Sequence, residues 1–268
     1  MTLEITSPQN PRIKELMRLR ERRGRQKQKR FMIDGLRELQ RACDTDLIID
    51  EVYFDVSLCD QTPQRETLTL LEIRGTTLIE VSQRVMQKIS YGQQQPAMIA
   101  VAKTPAIGTL SDLAITSNTL IIVLEAVEKP GNLGAIVRTA DAAGVQAVIF
   151  SAGTQDIFNP NAIRNSSGAI FHIPVIHTDH DKLQSWLSKN TFKTLATRVD
   201  GAINYTQADY TGRTAIIMGS EATGLSQNWD DRNSSAISIP MLGIGDSLNV
   251  STSCAVICFE ALRQRGHV

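Results

Sequence analysis

Three short runs hold the side chains best suited to chemistry: NLGAIVRTA at 132–140, GSEATGLS at 219–226 and IPMLGIGDSLN at 239–249. The first carries Asn132 and Arg138, and the second Gly219, Ser220, Glu221 and Gly224. The third carries Ile239, Met241, Leu242, Ser247, Leu248 and Asn249. Each follows an apolar run that reads as a buried strand: TLIIVLEAV, TAIIM and AISI. Open α/β sheets bind ligands at the carboxyl ends of their strands. Glycine there lets a ligand reach the backbone, and Ser or Asn supplies caps and contacts. In the helix expected after KPGN, Asn132 is placed as N-cap and Gly144 as the left-handed residue at the C-terminus. Arg138 stands among the small residues Ala135, Thr139, Ala140, Ala142 and Ala143. The small residues let another backbone approach closely.

Other chemistries lack their residues. Neither KPGNLGAIV nor LGIGDSLN has the GxGxxG spacing of a dinucleotide fingerprint, and no GxxxxGK[ST] phosphate loop occurs. His172, His177, His180 and His267 have no metal-binding spacing to Cys or acidic partners, so no metal is expected. Cys43, Cys59, Cys254 and Cys258 are too few and scattered for a disulfide framework, and they read as reduced and structural.

The elements that position these runs divide the chain. Residues 31 to 103 alternate FMID, GLRELQRAC, LIIDEVYF, a polar stretch, TLIEV, SQRVMQKIS and PAMIAVA, which is βαβα texture. Residues 104–118, rich in Pro, Gly, Ser and Thr, read as a linker. The expected organisation is a small α/β domain over 1–103, the linker, and a second α/β domain over 119–268. A length of 268 residues fits two compact domains, and 42% apolar with 21% charged residues is ordinary for a folded protein. No apolar run approaches the length of a membrane span, and the N-terminal residues lack a signal peptide's apolar centre, so a cytoplasmic protein is expected.

Net charge is zero, but residues 12–30 hold ten Lys or Arg against Glu15 and Glu21. Such a local excess marks a polyanion partner. Arg18, Arg20, Arg22, Arg23, Arg25, Lys27, Lys29 and Arg30 are the expected phosphate contacts.

The three runs, in this order, resemble the motifs of the SpoU (TrmH-like) family of RNA ribose 2′-O-methyltransferases. SPQNPRIKELMRLRERRGR and FMIDGLRELQRA are similar to the ribosomal-protein-like RNA-binding domain that many members carry ahead of the catalytic domain. Asp34 stands where the family commonly has Glu, and Glu128 and Lys129 where it often has an Asp-containing turn. The resemblance implies a parallel sheet threaded into a deep trefoil knot and a homodimer. It also implies S-adenosylmethionine bound in the knotted loops by Gly219, Ile239 and Leu248, with Met241, Leu242 and Ser247 beside them. It assigns Arg138 to activation of the 2′-hydroxyl, with Asn132, Glu221, Ser247 and Asn249 around it. Arg164, in NPNAIRNSSGAIFHIPV, is a further candidate for RNA contact.

A guanidinium holds its proton up to pH values above about 12, so a phosphate clamp suits Arg138 better than a general base. The activity implied is methylation of structured RNA, with ribosomal RNA favoured over transfer RNA. A noncatalytic RNA-binding protein of the same fold is the rival reading.

Overall fold

The computed structural model describes residues 3–91, 96–152, 155–200, 203–220, 223–229 and 234–266. The chain forms two compact units, Met1–Ala106 with Phe158–Phe171, and Ile107–Ile157 with His172–Val268. It therefore returns to the first unit after entering the second, a crossing that the composition of the linker does not signal.

In the first unit the elements are β1 (Leu3–Ile5), α1 (Pro11–Arg18), α2 (Arg22–Gln28), β2 (Arg30–Asp34), α3 (Leu36–Cys43), β3 (Ile49–Phe54), α4 (Thr62–Ile73), β4 (Thr77–Val81), α5 (Gln83–Ile89) and β5 (Met98–Lys103). The strands lie in the order β1-β4-β3-β5-β2, with β1, β4 and β3 parallel and β5 antiparallel to β3 and β2. The polar stretch of the sequence is α4. Its Pro63 suits a first helical turn, and Thr67 and Leu71 are buried while Leu70 and Ile73 are exposed. The basic run is not a detached arm. Ile13, Leu16 and Leu19 are buried in one core cluster with Met32, Tyr53, Ile79 and Ile99, so its apolar positions help to build the domain.

The second unit contains β6 (Leu120–Glu125), α6 (Pro130–Ala142), β7 (Ala147–Ala152), β8 (Val175–His177), α8 (His180–Lys189), β9 (Lys193–Thr197), β10 (Ile203–Asn204), β11 (Thr214–Met218), β12 (Ser234–Ser238) and α9 (Val250–Gln264), while α7 (Pro160–Asn165) lies in the segment that joins the first unit. All pairs of the sheet β10-β12-β9-β11-β6-β7-β8 are parallel, which explains why the inner strands β6 and β11 are buried at every position rather than alternating. One core cluster joins Ile121, Val123, Ile149 and Ile217 to Leu183 and Leu187 of α8, with Leu110, Leu113 and Ile115 of the linker packed against it. Helices α6 and α9 pack on each other. The four cysteines are buried free thiols, as expected. Among the described residues no helix is long and apolar enough to cross a membrane.

The stretch Phe158–Phe171 is fastened to the first unit by ring stacking and charge. Phe31 stacks on Phe158 with centroids 4.4 Å apart and on Phe171 at 6.1 Å. Arg41 donates to the Ser167 carbonyl.

Near the end of α9, Glu260 accepts from Nε and Nη2 of Arg263, both at 2.8 Å, and from Gln264 at 2.8 Å. Hydrogen bonds from Arg263 hold the Glu260 carboxyl at about 2, below the ordinary 4.5. A carboxylate whose folded pKa is depressed contributes stability that is complete above the unfolded value and is lost as pH falls towards the folded one. Glu260→Gln is expected to flatten the loss of stability between pH 4.5 and about 2. Urea unfolding across that window measures it, and an unchanged acid limb would show that the pair adds nothing.

Candidate active site

The candidate residues follow the carboxyl ends of three strands of the one parallel sheet, β6 and β11 side by side and β12 beyond β9. Asn132 follows β6, Gly219 follows β11, and Ile239 follows β12. Helix α6 begins earlier than the sequence suggests: Lys129 is its N-cap and Pro130 opens the first turn. Asn132 is therefore inside that turn rather than capping it. Its side-chain carbonyl accepts from Nδ2 of Asn249 at 3.2 Å, which ties the start of α6 to the start of α9. Asn249 is the N-cap of α9, its Oδ1 accepting from the Ser251 N–H at 2.9 Å and the Ser251 hydroxyl at 2.6 Å. Gly144 closes α6 in the left-handed region at φ +68°, as the sequence implies. Arg138 is exposed on α6, and among the described residues its guanidinium makes no hydrogen bond or ion pair, so it is available to an external anion.

Past β11 the chain reverses tightly. Ser220 Oγ accepts from the Thr223 N–H at 3.1 Å, and the Gly224 N–H donates to the Ser220 carbonyl at 3.0 Å. Glu221 lies outside the described residues. The sequence places Gly219 as a gap for a ligand, but its nearest neighbours are the chain itself. A Cβ there would sit 2.3 Å from the Gly224 carbonyl carbon and 2.5 Å from the Leu225 nitrogen. The glycine is required first by the backbone, and a valine could not be added there without moving the loop. The sequence reading missed Glu125. Buried at the end of β6, it accepts from the Ser226 N–H at 2.7 Å and the Ser226 hydroxyl at 2.9 Å, and so anchors this loop from the neighbouring strand. A buried acid closing a continuous apolar strand was the available signal.

After β12 every residue from Pro240 to Asn249 is exposed, including Met241, Ser247 and Leu248, and the side chains of Leu242 and Ile244 are fully so. Gly243 and Gly245 have open space where a Cβ would stand. Exposed apolar side chains on a glycine-bearing loop mark a surface that a ligand or partner covers. Their chemistry, apolar contact plus main-chain donors and acceptors, fits an adenine ring and a methylsulfonium.

The basic residues divide by role. Arg18, Arg22, Arg23, Lys27 and Lys29 are exposed, although Arg18 pairs with Glu15. Arg30 is half-buried and lies 3.6 Å from Glu51. Arg20 donates to the carbonyls of Lys88 and Ser90 and lies over the Tyr91 ring. Arg25 departs from expectation: it is buried, and its guanidinium donates to the carbonyls of Leu19 and Arg20 at 2.5 and 2.7 Å, closing the turn after α1. Arg164 is held 3.1 Å from the buried carboxylate of Asp34 and donates to the Tyr91 carbonyl, so its charge is largely neutralised within the protein. Burial pushes the Asp34 carboxyl upward, against the Tyr91 N–H, Arg164 and Arg20.

Replacing Arg22, Arg23, Lys27 and Lys29 by Gln is expected to flatten the dependence of log K for RNA binding on log salt, each lost phosphate contact removing roughly 0.7–0.9 from the slope. Filter binding at several salt concentrations checks this, and an unchanged slope would make the run a solvated face. Removing the whole segment would not test the point, because Ile13, Leu16 and Leu19 belong to the core.

With this geometry in place, comparison with known proteins gives a consistent result. The model of the SpoU rRNA methylase family matches residues 119–259, and that of the MRM3-like substrate-binding domain matches residues 10–100. The 23S rRNA (guanosine-2′-O-)-methyltransferase RlmB of Ralstonia nicotianae is 31% identical over 224 residues, covering 82% of this chain and 90% of that protein. A crystal structure of an RNA 2′-O ribose methyltransferase is 36% identical, covers 99% of both chains and superposes with a TM-score of 0.87. An AdoMet-bound rRNA methyltransferase from Sinorhizobium meliloti is 27% identical, covers 98% of both chains and superposes with a TM-score of 0.88. Sequence motifs, parallel sheet and these matches agree: the chain belongs to the SpoU rRNA methylase family.

Proposed function

We propose that the chain transfers the methyl group of S-adenosylmethionine to a ribose 2′-hydroxyl in structured ribosomal RNA. The observation that carries this reading is the bond between Asn132 and Asn249, which sets the helix bearing the unpaired Arg138 against the helix that begins where the exposed 239–249 loop ends. The cofactor supplies a methyl group on a sulfonium, open to in-line attack. Ile239, Met241, Leu242, Ser247 and Leu248 hold it by apolar and main-chain contact. Arg138 grips the phosphate of the target nucleotide with two N–H donors and so fixes the 2′-oxygen. The hydroxyl proton passes to an oxygen of that phosphate or to water, since the guanidinium cannot accept it. Most of the rate then comes from holding two reactants in attack geometry.

The exposed face of α1 and α2 supplies sequence-independent attraction for the RNA. Ribosomal rather than transfer RNA agrees with the 23S rRNA named for the Ralstonia nicotianae relative. The same reading includes the trefoil threading of the sheet and a cytoplasmic location. It also includes a homodimer in which a second copy covers Leu242, Ile244 and Phe259, all exposed in the single chain.

Ribose methylations mapped in RNA from a deletion strain should lack one ribosomal site that returns with the intact gene. A lost site in transfer RNA would redirect the substrate. Calorimetry that detects no S-adenosylmethionine binding would leave a noncatalytic RNA-binding protein.

A further inference from the structure

A cavity of about 1000 Å³ opens in the second unit at the carboxyl ends of β7 and β8, and no residue of α6, α9 or the 239–249 loop lines it. Most of its wall area is apolar, with Leu110 of the linker, the rings of His177 and His180 and Trp186 of α8 among its lining, and the hydroxyl residues Thr109, Ser111, Ser151 and Thr178 line it too. Neighbours hold these rings in place. His177 stacks on Phe150 at 4.8 Å, Trp186 stacks on Phe192 at 5.2 Å, and His180 meets Trp229 edge-on at 4.8 Å.

Buried polar atoms are left over in this setting. Ser151, which lines the cavity, is 1% exposed, and its Oγ has no hydrogen-bond partner among the described residues. The same holds for Nδ1 of His180. Buried polar atoms are nearly always paired, so an unpaired hydroxyl on a cavity wall points to a ligand that pairs with it.

Charge decides what that ligand is. Asp179 and Lys182 form a 2.7 Å ion pair at the rim, and the other Asp179 oxygen accepts from the Lys182 N–H, so the start of α8 already holds its own carboxylate. A phosphate gains little there. A flat, uncharged ring with hydrogen-bonding edges fits aromatic walls and a buried, unpaired hydroxyl.

We propose that this cavity receives one unstacked nucleobase of the RNA, other than the target nucleotide, with Ser151 Oγ bonded to the edge of the base. That the base comes from RNA rests on the reading above; that the cavity takes a nucleobase does not.

The test titrates the full chain with the four nucleoside 5′-monophosphates and follows tryptophan fluorescence, Trp186 and Trp229 being its two tryptophans. At least one nucleotide should quench saturably, and Trp186→Phe should remove most of that signal. Ser151→Ala, which deletes only the unpaired hydroxyl and leaves the fold intact, should weaken binding about 3- to 10-fold, the span of one hydrogen bond, with S-adenosylmethionine affinity unchanged. A single-stranded octanucleotide of mixed sequence should displace the bound monophosphate. No quenching by any nucleotide, or equal affinity in Ser151→Ala, overturns the site, and failure of the octanucleotide to compete overturns the RNA source. Loss of the methyltransferase reading would appear separately, as absent S-adenosylmethionine binding beside intact quenching.

Discussion

Arg138→Lys is expected to bind S-adenosylmethionine nearly as the native chain does and to lose roughly 100-fold or more in methyl transfer, as when a positioning group misplaces its substrate by about 1 Å. Lysine keeps the charge but not the planar fork, so the substitution separates a bidentate clamp from a mere field. Because Arg138 is exposed and makes no bond or ion pair among the described residues, neither this change nor Arg138→Ala should disturb the fold. The alanine variant should lose more activity, since the phosphate then has neither charge nor fork. Single-turnover methylation with cofactor affinity measured in parallel decides the matter. Near-native turnover in the lysine variant would sink the clamp, and near-native turnover in the alanine variant would remove Arg138 from the chemistry.

The second large effect is expected at Gly219, where binding and stability should fall together. The first atoms of an added side chain would stand 2.3 to 2.5 Å from backbone atoms of Gly224 and Leu225, which cannot swing aside as a side chain could. Gly219→Ala should cost about 1–3 kcal/mol, typical of overpacking a well-filled site, and Gly219→Val more. The loop anchored to Glu125 through Ser226 would shift, and cofactor affinity should fall at least about tenfold, a change of about 1.4 kcal/mol. Thermal unfolding and calorimetry on the alanine variant measure the two effects. Normal stability with weakened binding would return the glycine to the role its sequence first suggests, a gap for the ligand, and normal values of both would show that the loop moves freely.

Much of this molecule is legible in its residues. The apolar runs at 120–125 and 214–218 are continuous because a parallel sheet covered on both faces offers no wet side for alternation, so a buried strand is the available reading. Gly144 is legible because the left-handed turn after α6 is a local demand. Asn249 is a helix cap for an equally local reason, as its side chain needs only an N–H two residues on. Helix α4 was hidden because one buried side of mostly polar residues is too weak a periodic signal.

Long-range partners were not legible. The ten basic residues of 12–30 look alike in sequence, yet Arg25 closes a turn, Arg20 donates to the Lys88 and Ser90 carbonyls, and Arg22, Arg23, Lys27 and Lys29 remain exposed. Only packing decides which guanidinium is desolvated and must be paired internally, and which stays in water for a polyanion. For the same reason the sequence singles out Asn132 and Asn249 only as candidates, while the folded chain joins them across 117 positions. Residue type and local spacing determine the elements and their ends, because those depend on neighbours a few positions away. The role of each charged or polar side chain depends on burial and on partners brought from elsewhere in the chain, and the tertiary structure alone supplies both.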